Sequence, residues 1–83
     1  MEDREKKEVF LQWARRVFDE NSYYSLTLAA EKWGRDHWDE IEDAFIAWGW
    51  ISGDENSDEF EAILNGLGWS EVQDIAHMLS SAE

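Results

Sequence analysis

The sequence predicts an all-α fold, a compact bundle of about five short helices joined by short connections. Three observations carry this. The 83 residues contain no Pro, so no helix interior loses a backbone donor to one. Apolar residues recur at three- and four-residue spacing, the signature of one buried helical face. Gly, Ser, Asp and Asn fall between these stripes, where helix caps and stops belong.

Each element follows in order. Val9, Phe10, Trp13, Ala14, Val17 and Phe18 form one stripe and predict a helix over roughly residues 3–20, broken by Asn21-Ser22. Leu26, Ala29, Ala30 and Trp33 form a second, with Ser25 as N-cap and Gly34 as C-terminal stop. The stretch YYSLTL also alternates, so a short extended segment there is the lesser alternative. A third helix is expected after an Asp36 N-cap, with Trp38, Ile41, Phe45 and Trp48 inward and Gly49 ending it. SGDENS reads as a polar loop. Ser57 is the expected cap of a fourth helix, with Phe60, Ile63, Leu64 and Leu67 inward and Gly68 as stop. Ser70 with Gln73 fits a capping box and opens a fifth helix through Val72, Ile75, Ala76 and Leu79.

The length suits one domain over residues 1–83. Hydrophobic content of 43% with 14% aromatics predicts a folded core, not a disordered acidic tail. The absence of Cys excludes a disulfide framework and a Cys-based zinc site. The opening MEDREKKEV lacks an apolar leader, and no run approaches the ~20 apolar residues of a membrane span. The expectation is a soluble, cytoplasmic protein without a membrane partner.

Charge is the extreme feature, at −13 overall. Residues 1–35 hold all seven bases (Arg4, Lys6, Lys7, Arg15, Arg16, Lys32, Arg35) against seven acids and sum to zero. Residues 36–83 hold thirteen acids and no base, and so carry the whole excess. Such a field repels nucleic acid and membrane surfaces and attracts basic partners.

Within the acidic half a phrase repeats at an offset of 19 residues. Asp39, Glu40, Glu42, Gly49 and Trp50 match Asp58, Glu59, Glu61, Gly68 and Trp69. Shared helix grammar accounts for most of this: acids in a first turn suit the helix dipole, and Gly marks a helix exit. A duplicated binding surface is the alternative.

Catalytic signals are weak. His37 and His77 are the only histidines, and neither joins a recognisable nucleophile–base arrangement; no enzyme activity, cofactor or metal is expected. Asp54, Asn56 and Asp58 alternate like the first ligands of an EF-hand loop. However, the required Gly is Glu59 here and the closing Glu is Asn65. LTLAAEKWGRDHWDEIEDAF resembles a helix-turn-helix in its Ala29-Ala30 pair and in Gly34. Its second helix would bring Asp39, Glu40, Glu42 and Asp43 to phosphates, which excludes direct DNA binding on electrostatic grounds.

The same carboxylates suit the opposite role. Asp36, Asp39, Glu40, Glu42 and Asp43 place five charges in eight residues. At ~1.5 Å rise that is one charge per ~2.4 Å of axis, approaching the ~1.7 Å of duplex DNA. A surface that only needed solubility would intersperse Lys or Arg. Trp13, Trp33, Trp38 and Trp48 fit inward stripes. Trp50 and Trp69 follow Gly residues, and either pack back on their own helices or serve as binding anchors.

In length, in charge and in the carboxylates of "RDHWDEIEDAF" and "SDEFEAIL", the chain resembles, at class level, the small acidic DNA-mimic inhibitors of phages and mobile elements. These include anti-CRISPR and anti-restriction proteins. The resemblance implies a non-catalytic inhibitor that acts in the host-cell cytoplasm and occupies a basic nucleic-acid site on a defence nuclease or surveillance complex. The candidate contact residues are Asp36, Asp39, Glu40, Glu42, Asp43, Asp54, Glu55, Asp58, Glu59, Glu61, Trp50 and Trp69. The balanced first helix departs from a uniformly acidic mimic and fits a structural or dimer-forming element, so a homodimer is also expected as an option. The alternative class is a helical adaptor or assembly protein that binds through Trp50, Trp69 and Val72.

Overall fold

The computed structural model describes residues 2–81. Five helices follow in order: α1 Glu2–Glu20, α2 Tyr24–Asp36, α3 Trp38–Ala47, α4 Ser57–Asn65 and α5 Trp69–Ser81. No strand occurs among the described residues, and YYSLTL is helical from Tyr24 onward. The expected all-α bundle is therefore the observed fold.

The long α1 is the central element. It packs against α2 on one side and α4 on the other, while α2 also carries α3 and α5. Phe10, Trp13, Ala14 and Phe18 of α1 are buried, together with Ala30, Trp38, Ile41, Phe45, Phe60, Leu64, Val72, Ile75 and Leu79. Every helix thus gives at least one residue of its expected stripe to one core. The radius of gyration is 11.5 Å, against ~11.8 Å for a compact chain of this length, so no helix stands away from the rest.

An aromatic cluster fills the centre. Phe10 lies 5.9 Å from Trp38 and 6.0 Å from Phe45, and Phe60 meets Trp38 edge-on at 5.8 Å. The Trp38 indole N–H is buried without an acceptor, a cost of about 1–3 kcal/mol. Burying ~200 Å² of ring contributes about 5 kcal/mol, so the ring's packing outweighs its stranded donor.

Helix ends are where the structure departs from the sequence expectations. Gly34 lies inside α2, not at its end. A Cβ there would come within 2.7 Å of Leu11 Cδ2, so its role is close approach of α2 to α1. Helix α2 starts at Tyr24 with no side-chain cap, so Ser25 does not cap it. Asp36 is the last residue of α2; the N-cap of α3 is His37, which makes no side-chain cap bond. Asn56, not Ser57, caps α4, through a complete capping box with Glu59. Helix α4 ends at Asn65 with Gly66 as its C-cap, and α5 begins at Trp69. Gly68 is therefore an entry to α5 and not the exit of α4, and Ser70 is already inside the helix.

The two Gly-Trp pairs consequently do different things. Gly49 has φ +82°, its N–H bonds Ile46 O at 2.9 Å, and Trp50 N–H bonds Phe45 O at 3.0 Å. This is a Schellman exit. Helix α1 ends the same way, with Ser22 at φ +63° and Tyr23 N–H bonding Phe18 O at 2.7 Å.

The turn at Gly49 also corrects the placement of Trp48. It returns Trp50 onto Phe45, with ring centroids 5.2 Å apart, and sends Ile51 into the core. The inward place is then taken, and Trp48 is 40% exposed. Leu26, Ala29, Trp33, Ile63, Leu67 and Ala76 are half-buried around the core.

Candidate functional site

The candidate site was drawn from the acids of residues 36–61, and the structure divides them into engaged and free groups. Glu42 is engaged. Lys6, 2% exposed, donates to Glu42 Oε2 at 3.4 Å and to the Gly53 carbonyl at 3.2 Å. A base remote in sequence thus neutralises one acid of α3 and ties α1 to the loop after α3. Nothing in the local spacing marks Lys6, because its partner lies 36 positions away in the chain and only the packing of α1 on this region brings the two together.

Glu55 is also engaged. Its carboxylate accepts from Ser52 N–H at 2.9 Å, Ser52 Oγ–H at 3.1 Å and Gly53 N–H at 3.0 Å. The Ser52 backbone donor chiefly holds its carboxyl below the usual range, against a smaller opposing effect of burial. Glu59 is turned to the Asn56 N–H at 3.0 Å in the capping box. Asn56 answers by accepting from Glu59 N–H at 2.9 Å, so its side chain is occupied by the helix end. Among the described residues, no three His, Asp or Glu side chains gather closely enough to hold a metal ion.

Glu40 reaches the N-cap of its own helix, with Oε1 3.5 Å from His37 Nδ1. Glu40 and Glu59 occupy the same N3 position in the repeat, and each turns back to its own cap. The contacts differ in kind: Glu59 accepts the Asn56 backbone N–H in a capping box, whereas Glu40 lies beside the His37 ring. Glu61, the partner of Glu42 in the repeat, is exposed and unpaired by comparison, so the repeat does not make two equal surfaces.

The free acids remain. Asp36, Asp39, Asp43, Asp54, Asp58 and Glu61 are exposed. Among the described residues their carboxylates make no ion pair; the Lys and Arg pairs are Lys6–Glu42 and Arg15–Glu31. Asp39, Glu40 and Asp43 share the outward side of α3, opposite Ile41 and Phe45. Three carboxylates over five residues still give one per ~2.5 Å at ~1.5 Å rise. Glu83, the last acid of the chain, lies outside the described residues.

Charge separation along the sequence is partly undone in space. Lys7 and Arg35 line a recess of about 340 Å³ together with Asp36, His37, Trp38, Asp39 and Glu40. Two bases of the balanced half thus border the start of α3. At its other end no base occupies the last turn.

The aromatic candidates also separate. Trp50 is packed on Phe45 and only half-exposed. Trp69, at the start of α5, is 49% exposed. It borders a cavity of about 250 Å³ with Phe18, Tyr23, Leu26, Val72 and Ala76. Val72 itself is buried, which removes it as an exposed anchor. Tyr23, Tyr24 and Leu28 at the start of α2 and Ile46 in α3 are exposed large apolar groups that the stripes did not single out, and Trp48, which they placed inward, is exposed as well.

No helix of the described residues is long and apolar enough to cross a membrane. No known protein family, curated protein or solved structure matches this chain.

Proposed function

We propose that this protein is a non-catalytic inhibitor that binds a basic nucleic-acid site of another protein, in the manner of anti-CRISPR and anti-restriction DNA mimics. One observation carries the reading: Asp39, Glu40 and Asp43 stand together on the solvent side of α3, and no Lys or Arg among the described residues pairs with them. Asp54, Asp58 and Glu61 extend the unspent carboxylates beyond α3. Glu42, Glu55 and Glu59 serve the fold instead, holding Lys6, the 52–55 loop and the start of α4. Association by such a face is fast and falls steeply with salt.

The test is capture of partners from a host lysate on the immobilised protein, with and without duplex DNA, beside the Glu40→Lys/Asp43→Lys double variant. A basic nucleic-acid-binding protein should be retained, released by duplex DNA or added salt, and lost from the variant at unchanged helicity. Retention that ignores both DNA and the double reversal would remove the acidic face from the mechanism.

A second reading, a helical adaptor, is favoured by the exposed Trp69 beside its cavity and by Tyr24 and Leu28, 64% and 67% exposed. Its binding would tolerate salt and DNA and would fail in Trp69→Ala.

A further inference from the structure

We infer that the outer side of α2 docks on the acidic side of α3 of a second copy of this chain, antiparallel, twice over in a two-fold dimer. The inference goes beyond the nucleic-acid-mimic reading, because it names another occupant for Asp39 and Asp43.

The outer side of α2 sets the requirement. Tyr24 and Leu28 are 64% and 67% exposed, the highest values among the exposed large apolar groups. Lys32 and Arg35 are exposed on the same helix and make no ion pair among the described residues. At ~3.6 residues per turn these four side chains leave α2 within about 80° of one another. They form one stripe, apolar at the start of the helix and basic at its end. Such a stripe fits an acidic helix that also exposes an apolar group.

Helix α3 is one. Asp39, Asp43 and Ile46 are exposed on it and leave within about 60° of one another. Helix α4 exposes acids but no large apolar group, and the acid exposed on α5 is Asp74 alone. The spacings also match. Leu28, Lys32 and Arg35 stand at i, i+4 and i+7, as do Asp39, Asp43 and Ile46, so each set spans ~10.5 Å of axis. Laid antiparallel, Arg35 meets Asp39, Lys32 meets Asp43 and Leu28 meets Ile46. A parallel alignment sets Arg35 against Ile46 and Leu28 against Asp39, so charge fixes the direction.

The same placement allows closure. Arg35 and Asp39 of one chain border a single recess, so the charged ends of both stripes lie together and the apolar ends lie away along each helix. A two-fold axis beside this recess brings the charged ends of both copies to the centre and puts α2 of each on α3 of the other. Two chains of charge −13 repel one another, which opposes the local pairs and the covered Tyr24, Leu28 and Ile46. A strongly basic partner has no such opposition and displaces the second copy, so the dimer covers Asp39 and Asp43 only until that partner arrives.

Sedimentation velocity at about 0.15 M salt, where long-range repulsion is screened, reads the dimer across protein concentration. The wild type should double its mass at high concentration. Lys32→Glu/Arg35→Glu and Asp39→Lys/Asp43→Lys each set like charges together, and each should weaken the dimer about ten-fold or more at unchanged far-UV circular dichroism. An equimolar mixture of the two variants carries one reversed and one native contact, both attractive, and should dimerise again to within about three-fold of the wild type. Leu28→Ala, present twice in each dimer, should also weaken it about ten-fold. A wild type that stays monomeric to about 1 mM overturns the inference and leaves the acidic-face reading standing. A dimer that survives either reversal, or reversed variants that do not pair when mixed, overturns it as well. Failure to capture a basic partner from lysate, with the mixing result as expected, sinks the acidic-face reading and leaves the dimer.

Discussion

Lys6→Met tests the ion pair that joins the two charge halves. Methionine keeps an unbranched stem of similar size, so packing changes little, while the ammonium is lost. Glu42 and the Gly53 carbonyl then have no donor from α1. Removing one partner of a buried pair costs about 3–5 kcal/mol. The cost should be smaller here, because the Glu42 side chain keeps 17% exposure and the 3.4 Å contact is long for a charged bond. About 2–3 kcal/mol is the expected loss, or on the order of 10–20 °C in Tm for a domain of this size. The Lys6→Met/Glu42→Leu double variant replaces both charges with apolar groups and should recover to within about 1 kcal/mol of wild type. Urea unfolding followed by far-UV circular dichroism measures the wild type, Lys6→Met, Glu42→Leu and the double variant, and a common m-value secures the comparison. A Lys6→Met loss under about 0.5 kcal/mol would refute the reasoning, as would strictly additive single effects, since coupling is what contact predicts.

The remaining predictions concern helix ends and the loop. Gly49→Ala should destabilise by about 1 kcal/mol in thermal unfolding, because Ala must take φ +82°. Ser22→Gly, at the matching position of the other Schellman exit, should stabilise by about 0.5 kcal/mol, since it relieves φ +63° at the cost of a freer unfolded chain. Asn56→Ala should lose about 1 kcal/mol, and adding Glu59→Ala should cost less than its own single effect, because the two bonds are reciprocal. Glu55 titrates below the usual carboxylate range, so its contribution is complete above the unfolded-state pKa of about 4.3 and is lost as pH falls through the lower folded value. The Ser52 and Gly53 amide resonances should therefore move with acidification below about pH 4 in the wild type; the same movement in Glu55→Gln would show that another group is responsible.

Much of the fold was legible because it rests on period. Five stripes at helical spacing became five helices, and residues such as Phe10, Ile41, Phe60 and Ile75 reached the core as their positions required. The break at Asn21-Ser22 and the exit at Gly49 were legible because a left-handed residue is a local demand. Cap assignments slipped by one or two residues, at Asp36, Ser57 and Ser70. Several polar residues in a row can each cap a helix, and packing selects among them. Gly34 reads as a stop in one dimension, whereas α1 needs it as a place to approach.

For the site, the sequence by itself determined a strongly acidic second half and the outward side of α3, since charge and period are both written residue by residue. Only the tertiary structure decided which acids remain free. Lys6 removes Glu42, Ser52 and Gly53 hold Glu55, and Lys7 and Arg35 come to border the start of α3. It also decided that Trp48 is exposed while Trp50 is half-buried on Phe45. The Glu55 bonds are local, at two and three residues, and need only the loop to close. The Lys6 contact spans 36 residues, and the Trp rings are sorted by a turn that brings one onto Phe45 and leaves the other exposed; local spacing encodes neither, because both depend on which elements pack together.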